Sequence, residues 1–427
     1  MPAPLQAYWS GLRPAGNVLH REKFSVRARG VTFATAFFVI PMADISAAIL
    51  APGAIMPPGG SAISLFTTFV HPSAQQRVGA VLTSTFLSEG KLVKEFEARL
   101  SVELGMVHPA ALNSGTSALH LAMEVAGIGP GDEVILAPQT FIASALTVVQ
   151  VGAKPVFADI QYANGNIDPA DIEPRITPRT KAIMAVHWGG YPCDMAEIQA
   201  IADKHHLVVI EDAAHSPGAT YQGRAIGSIS DFTCFSFQAI KHLTTGDGGA
   251  LCARDPEKAR EVFRRRWFGI DRANSPINEV GEREYDLTDV GYKYHLSDYA
   301  AALGLANLEG YAERMTTRRA LVQQYNNGLQ DVAGITPFER KTDRESAHWL
   351  YGFHVEDRLQ FIRAMRAKGI AASVVHDGID HNTLFGGKRM ELTNQRRFDD
   401  TQIHIPLHDG LNAGHVGYIV DAIKQGW

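Results

Sequence analysis

The sequence contains few cysteines, and their spacing argues against two classes of protein. Three cysteines occur among the 427 residues, at Cys193, Cys234 and Cys252, and no two of them form a CxxC pair. Small secreted proteins that depend on disulfides carry many more cysteines, and zinc sites need closely spaced ligands. The sequence therefore predicts neither a disulfide framework nor a metal site, and it fits a reducing cytoplasm.

The sequence also lacks an excess of charge of one sign. Its 40 Lys and Arg stand against 45 Asp and Glu, which gives a formal net charge of -5. Both signs are scattered, and no basic stripe of the kind that binds a nucleic acid backbone is present. We therefore expect a small-molecule ligand. With 45% hydrophobic residues, the chain is long enough for a large core and for more than one domain.

A long apolar stretch near the N-terminus is interrupted by polar and rigid residues. The stretch VTFATAFFVIPMADISAAILAPGAIM contains Pro41 and Asp44. An acidic residue in mid-bilayer costs about 3 kcal/mol, and a secretory signal would start closer to Met1. We therefore expect no membrane span. We interpret residues 1–60 as a poorly ordered extension, or as sequence upstream of a native start near Met56.

From about Ile63, short apolar runs alternate with helical patterns. The segment GKLVKEFEARLSVELG has apolar residues on one helical face, while DEVILAP, KPVFADI, KAIMAVH, HHLVVIEDA and DFTCFSF resemble strands buried on both faces. This alternation predicts an α/β protein with a mostly parallel sheet. A single long helix is expected to begin after Ser297 and to run to Leu329, near a boundary with a smaller α+β unit.

Polar residues follow several of these strands, where open α/β folds bind their ligands. The turn Asn113-Ser114-Gly115-Thr116-Ser117 offers backbone N–H groups at a helix N-terminus, which suit a phosphate. Such turns also cap helices without any ligand. Asp212 ends the run VVIEDA, where its carboxylate either faces a cationic ring nitrogen or caps the next segment.

The stretch SFQAIKHLTTGDGG places Lys241 between an apolar run and a group of glycines. A lysine in such surroundings is expected to have a lowered pKa, and its neutral form attacks carbonyl groups. The nearby Ser236 hydroxyl can bind phosphate, and Gly246, Gly248 and Gly249 let the backbone approach a planar ligand. Each feature alone has an ordinary structural explanation. Together they are the parts that a pyridoxal phosphate enzyme requires.

With these residues, the chain resembles the DegT/StrS family of sugar aminotransferases. The resemblance runs from about Ile63 to Trp427 and is carried by FLSEGKLVKEFE, NSGTSALHLA, VHWGGYPCDM, VIEDAAHSPGATYQGRAIG, SFQAIKHLTTGDGGAL, GYKYHLSDYAAALGL and IHIPLH. It implies a fold type I transferase that depends on pyridoxal 5′-phosphate. Residues 61–300 would form a large cofactor-binding domain with a mostly parallel seven-stranded sheet between helices. Residues 301–427 would form a smaller α+β domain.

The resemblance also implies roles for individual residues. Lys241 matches the lysine that forms a Schiff base with the cofactor and moves the substrate proton. Asp212 matches the carboxylate that keeps the pyridine nitrogen protonated. Phe141 matches a ring that stacks on the cofactor, and His215 matches a group near the ring hydroxyl of the cofactor. The ligands of the cofactor phosphate match Gly115, Thr116 and Ser236.

A further block, GYKYHLSD, matches a loop that the family passes into the neighbouring subunit's active site. The resemblance therefore implies a homodimer with shared sites. Many members carry Asn where this chain has Lys293, and a lysine there would still offer a cation to the cofactor phosphate. His376 and His381 match a variable segment that often lines the sugar site.

The implied activity is transfer of an amino group from an amino acid such as glutamate to a keto group, at carbon 3 or 4, of a deoxy sugar linked to a nucleotide. This reaction belongs to amino sugar and polysaccharide biosynthesis in the cytoplasm. Lysine at position 241, where dehydratases of the family have histidine, favours transamination. An amino-cyclitol aminotransferase, a sugar dehydratase and a non-catalytic regulatory protein with the same fold stay open as alternatives.

Overall fold

A computed structural model describes residues 60–272 and 274–427. Its helices are α1 Ala74–Ser84, α2 Lys91–Leu104, α3 Gly115–Val125, α4 Ala143–Gln150, α5 Met195–His205, α6 Pro256–Arg265, α7 Asp298–Leu308, α8 Tyr311–Leu329, α9 Arg358–Ala367, α10 Thr393–Thr401 and α11 Ala413–Lys424. Its strands are β1 Ala110–Leu112, β2 Glu133–Leu136, β3 Lys154–Phe157, β4 Thr180–Val186, β5 Val208–Asp212, β6 Thr220–Tyr221, β7 Arg224–Ala225, β8 Phe232–Ser236, β9 Gly249–Ala253, β10 Ile335–Pro337, β11 Arg344–Glu345, β12 Tyr351–Val355 and β13 Gln402–Ile405.

The central sheet has seven strands in the order β1-β9-β8-β5-β4-β2-β3. Strands β3, β2, β4, β5 and β8 pair in parallel, whereas β9 is antiparallel to both of its neighbours. The α/β class and the mostly parallel seven-stranded sheet are therefore confirmed. The carboxyl ends of β1, β2, β5 and β8 all lie at one edge, since each of these strands runs in the same direction.

Side chains alternate between two core layers along each of these strands. One layer contains helices α3 and α4 together with Val134, Met184 and Ile210. The opposite layer contains residues adjacent to these in the strands, such as Ile135 and Ile183. Successive residues of a strand point to opposite faces. Both faces of the sheet are thus apolar, which explains the uninterrupted hydrophobic runs in the sequence.

Two smaller sheets follow. Strands β10, β12 and β13 form an antiparallel sheet, and its apolar residues share a separate core with α8, α9 and α11 that includes Tyr325, Phe353 and Phe361. Strands β11, β6 and β7 form the other sheet. The division into domains at residues 61–300 and 301–427 stays a prediction.

The single long helix expected after Ser297 is wrong. The segment forms two helices, α7 and α8, which are separated at Glu309 and Gly310. Gly310 has a φ of +66°, a left-handed conformation that ends α7 and that glycine adopts without steric cost. The break lets α7 pack against α1 and α2, while α8 packs against α11.

The expectations for residues 1–60 fall, apart from Gly60, outside the described residues. Within the part of the chain that the structure describes, no helix is long and apolar enough to span a bilayer.

Helix α2 is capped by a carboxylate from a distant part of the chain. Asp298 is buried at the start of α7, and its Oδ1 accepts hydrogen bonds from the N–H groups of Gly90 at 2.8 Å and Val93 at 3.1 Å. The first N–H groups of a helix have no partner within the helix, and a carboxylate there also interacts favourably with the positive end of the helix dipole. Asp298 therefore fixes α7 to α2.

We predict that Asp298→Ala lowers the free energy of unfolding by about 2 kcal/mol, because buried N–H groups lose their acceptor. Urea unfolding followed by circular dichroism measures the change. Glu95→Ala, which removes an exposed carboxylate from the same helix, is the matched control and should change stability by less than about 0.5 kcal/mol. Equal effects of the two substitutions would contradict the capping role.

Candidate active site

The candidate site lies at the edge of the central sheet where the parallel strands end. Four segments meet there: the turn after β1, the segment after β2, the turn after β5, and residues 237–248 after β8. Ser236 and Gly249 pair directly across β8 and β9, so residues 237–248 form a closed loop that carries Lys241. Ligands of open α/β sheets bind at this edge because the chain leaves the strands there.

The turn after β1 packs tightly against the ends of β8 and β9. A Cβ on Gly115 would lie 2.9 Å from the Cβ of Ser236, and a Cβ on Gly249 would lie 2.5 Å from the carbonyl oxygen of Ser114. The Ser114 hydroxyl accepts the N–H of Ser117 at 3.0 Å and caps α3. Two glycines thus bring the start of α3 and the Ser236 hydroxyl to one place, and the helix N-terminus makes this place suitable for an anion.

The carboxylate of Asp212 is held in a fixed orientation at the end of β5. Its Oδ1 accepts the N–H of Ala214 at 3.1 Å, and its Oδ2 accepts the hydroxyl of Ser144 at 2.6 Å. Ser144 has a single proton to donate, so the hydroxyl of Thr140, 2.6 Å away, donates to Ser144. All of these side chains are buried. Asp212 could be predicted from the sequence but Ser144 and Thr140 could not, since hydroxyls next to a strand end carry no distinct signal.

Lys241 and His215 meet at the ring of Trp349. The Nζ of Lys241 lies 3.6 Å from the centre of that ring, and His215 stacks on the ring at 3.8 Å with an angle of 18°. Burial lowers the pKa of Lys241 to about 7, although the negative charge of Asp212 opposes the shift. Burial and the charge of Lys241 also lower the pKa of His215 well below its usual value. The site therefore combines a reactive amine with a neutral imidazole.

Phe141 and His376 form another side of the site. The Phe141 side chain is 52% exposed, and its ring centre lies 5.2 Å from that of His376. Burial and the charge of Lys241 lower the pKa of His376 to about 4. The main-chain carbonyl of His376 accepts two amide protons, from Gln139 at 3.0 Å and from Gln402 at 2.9 Å. Gln139 follows β2 and Gln402 begins β13, so the two are far apart in the sequence and no sequence pattern identified them.

Glu211 faces away from Asp212 because adjacent residues of a strand point to opposite faces. It is fully buried, and its Oε2 lies 2.7 Å from Nε2 of His187. Nδ1 of His187 accepts the N–H of Cys193 at 3.1 Å, so the ring proton lies on Nε2 and is donated to Glu211. The main-chain N–H of His187 also donates to the carbonyl of Asp212 at 3.1 Å. The pair of Glu211 and His187 therefore stabilises the end of β5 on the face of the sheet opposite to the Asp212 side chain.

Two of the predicted residues have their side-chain contacts elsewhere. The Nζ of Lys293 lies 5.6 Å from the ring centre of Trp267, while the Lys293 carbonyl accepts the side-chain amide of Asn113 at 3.2 Å. His381 is exposed, and its Nδ1 lies 2.6 Å from the carbonyl oxygen of Gly378. The structure thus brings together Lys241, Asp212, His215, Gly115 and Ser236, with Thr116 next to Gly115 and with Phe141 at the rim.

Comparisons with known proteins agree with this geometry. The model of the DegT/DnrJ/EryC1/StrS aminotransferase family matches residues 70–424. The chain is 38% identical to the spore coat polysaccharide biosynthesis protein SpsC of Bacillus subtilis (strain 168), over 82% of this chain and 93% of that protein. It is 36% identical to the GDP-perosamine synthase of Caulobacter vibrioides, over 80% and 92%.

Solved structures show the same similarity. The crystal structure of the sugar aminotransferase CalS13 from Micromonospora echinospora superposes with a TM-score of 0.81 at 34% sequence identity. The match covers 86% of this chain and 100% of that chain. The similarity in fold and the similarity in sequence to known aminotransferases therefore cover most of this chain.

We predict that Glu211→Ala lowers the free energy of unfolding by about 3 kcal/mol or more, because three buried donors lose their acceptor. These donors are the ring N–H of His187, the hydroxyl of Thr233 at 3.0 Å and the N–H of Ser230 at 3.3 Å. Glu211→Gln keeps one acceptor oxygen and should lose less than half as much. Urea unfolding measures both variants, and an alanine variant as stable as the parent would refute the role of the pair.

Proposed function

The chain belongs to the DegT/DnrJ/EryC1/StrS aminotransferase family and is a pyridoxal phosphate-dependent transaminase, and from this premise we propose that it aminates a nucleotide-linked keto sugar. The acceptor is a keto group at carbon 3 or 4 of a deoxy sugar, and the donor is an amino acid such as glutamate. The observation that carries the proposal is the amine of the half-buried Lys241, with a pKa lowered to about 7, in one site with Asp212. Similarity to a GDP-perosamine synthase supports a nucleotide-linked substrate.

The residues present fit the cofactor at each of its polar groups. The N-terminus of α3 at Gly115 and Thr116, together with the Ser236 hydroxyl, suits the phosphate, and the contact between Gly115 and Ser236 leaves no room for a larger residue. Asp212 suits the ring nitrogen and Lys241 suits the aldehyde. When bound, the cofactor supplies an electron-withdrawing cationic ring that makes the α-carbon of the attached amine acidic.

Lys241 has two tasks at its Nζ. It attaches the cofactor, and it takes a proton from one carbon and returns it to another. Both require a neutral amine. A pKa of about 7 leaves half of the amine neutral at pH 7, whereas an ordinary lysine has about one neutral molecule in 2,500. Burial of Lys241 therefore supplies the protonation state that the reaction needs.

Asp212 sets the charge of the cofactor ring. Hydrogen bonds from Ser144 and Ala214 hold its carboxylate in one orientation, in which it can accept a hydrogen bond from a protonated ring nitrogen. We assign Phe141 to stacking on the ring, since half of its side chain is exposed at the site. We assign His215 to the ring hydroxyl, where a neutral imidazole can hydrogen-bond without adding charge.

We infer that the active unit is a homodimer. A groove of about 1610 Å³ is lined by the rings of Phe86, Phe263 and Trp267 together with many charged side chains, and Phe86 is 58% exposed. Exposed apolar surface of this kind marks interfaces. The segment 291–296 runs beside both the groove residue Trp267 and the turn at Asn113. In the proposed dimer, this segment brings Lys293 towards the phosphate end of the partner's cofactor.

We place the enzyme in the cytoplasm. Cys193, Cys234 and Cys252 are all buried free thiols. Burial raises the pKa of each thiol above its usual range, so the reactive thiolate form is suppressed. Free cysteines of this kind are usual in a reducing compartment.

We predict that Lys241→Ala lowers the rate of transamination by about 10³-fold or more, because both the attachment point and the proton carrier are lost. Mass spectrometry of products from a panel of keto sugar nucleotides with glutamate measures the activity. Lys181→Ala removes an exposed lysine and is the control. Borohydride reduction of the loaded enzyme, followed by peptide mapping, should label residue 241. A label elsewhere, or no amination with any of the sugars, would contradict the proposal.

We predict that Phe86→Asp converts a dimer into a monomer, because it places a charge in the apolar part of the interface. Light scattering after gel filtration measures the mass. Val102→Asp is the control, since Val102 is 85% exposed on α2 but does not line the groove. A parent protein that elutes with the mass of one chain would exclude the dimer.

A further inference from the structure

The amine of Lys241 lies over the aromatic ring of Trp349. Its Nζ is 3.6 Å from the centre of the Trp349 ring. An ammonium group within about 6 Å of the face of a tryptophan ring is attracted by the electrons of that ring, more strongly when both are shielded from water. Trp349 is 2% exposed. The ring is therefore shielded from water, while the Lys241 side chain is half-buried.

Several contacts hold the Trp349 ring in place. Its Nε1 donates to the carbonyl oxygen of Ile240 at 3.0 Å, which ties the ring to the residue just before Lys241. The ring of Phe66 stacks on it with 5.4 Å between centres, and the imidazole of His215 stacks on it at 3.8 Å. A ring fixed in this way offers one position to a flexible lysine side chain.

We propose that Trp349 is a positioning residue, which holds the amine of Lys241 whenever that amine is not bonded to the cofactor and keeps it in register with His215. The proposal rests on the role proposed above for Lys241. The side chain of a lysine that is released and rebound in every reaction cycle has four rotatable bonds. Without such a contact, the return of the amine to the reacting carbon would be slower and would cost more conformational entropy.

The ring also affects the protonation of the amine. Attraction to the ring favours the ammonium form and therefore raises the pKa of Lys241, whereas burial lowers it. The titratable groups that face Lys241 are Asp212 at the end of β5, His215 in the next turn, His376 from the segment between α9 and α10, and the adjacent His242. The three histidines have lowered pKa values and are neutral near pH 7, so Asp212 and the ring are the groups that oppose burial.

Fluorinated tryptophans test the proposal without changing the shape of the site. Fluorine withdraws electrons from the ring and weakens its attraction for a cation. The full-length enzyme is prepared with tryptophan, 5-fluorotryptophan or a more highly fluorinated analogue, and loaded with pyridoxamine phosphate, which leaves Lys241 as a free amine. Trace acetylation at pH 5.5 to 9.5, read by mass spectrometry of the Lys241 peptide, gives the pKa of that amine. Lys181 is the reference lysine.

We expect the pKa of Lys241 to fall stepwise with fluorination, by up to about one unit in total, while that of Lys181 stays constant. We also expect Trp349→Leu to slow attachment of pyridoxal phosphate to Lys241 by about tenfold, and Trp349→Phe to restore most of the rate. An unchanged pKa across the fluorinated series overturns the proposal, even if the leucine variant does not fold. Borohydride labelling of residue 241 in the same preparations keeps this failure separate from a failure of the role of Lys241.

Discussion

The site depends on keeping one amine and one carboxylate out of water at the ends of neighbouring parallel strands. Lys241 follows β8 and Asp212 ends β5, which pair directly in the sheet. Burial lowers the pKa of the Lys241 amine to about 7. The carboxylate accepts hydrogen bonds from the hydroxyl of Ser144 and the N–H of Ala214, which fix its orientation. The same fold therefore places an amine of lowered pKa and an oriented carboxylate a short distance apart.

The structure supports these two groups in layers. Asp212 is held from its own face by Ser144, and its main chain is held from below by His187, whose ring binds Glu211 on the opposite face of the sheet. Lys241 lies against Trp349, which also contacts His215. Such buried networks are costly when one member is missing, since the remaining polar groups lose their partners. The site and the core of the protein are thus stabilised by the same hydrogen bonds.

Much of this arrangement could be predicted from the sequence, and the reasons differ between its parts. Strands buried on both faces leave continuous apolar runs, so β2, β3, β4, β5 and β8 were visible, and Asp212 and Lys241 followed from their positions at strand ends. The break at Gly310 was missed because a lone glycine in a strongly helical pattern does not by itself show that the chain turns. Trp349 and Gln402 were missed because each reaches the site from more than 100 residues beyond Lys241. Only tertiary packing brings them there.

The direct pairing of Ser236 with Gly249 has a consequence for how this protein tolerates insertions and deletions. The loop that carries the reactive lysine is anchored at both ends by adjacent strands of a rigid sheet. The number of residues between the two strands therefore sets how far the loop extends. One residue more or fewer between these anchors would rotate or retract the lysine backbone and take the amine out of reach of its reaction partners. Relatives that keep the same chemistry should therefore vary in length in other loops and keep this spacing constant.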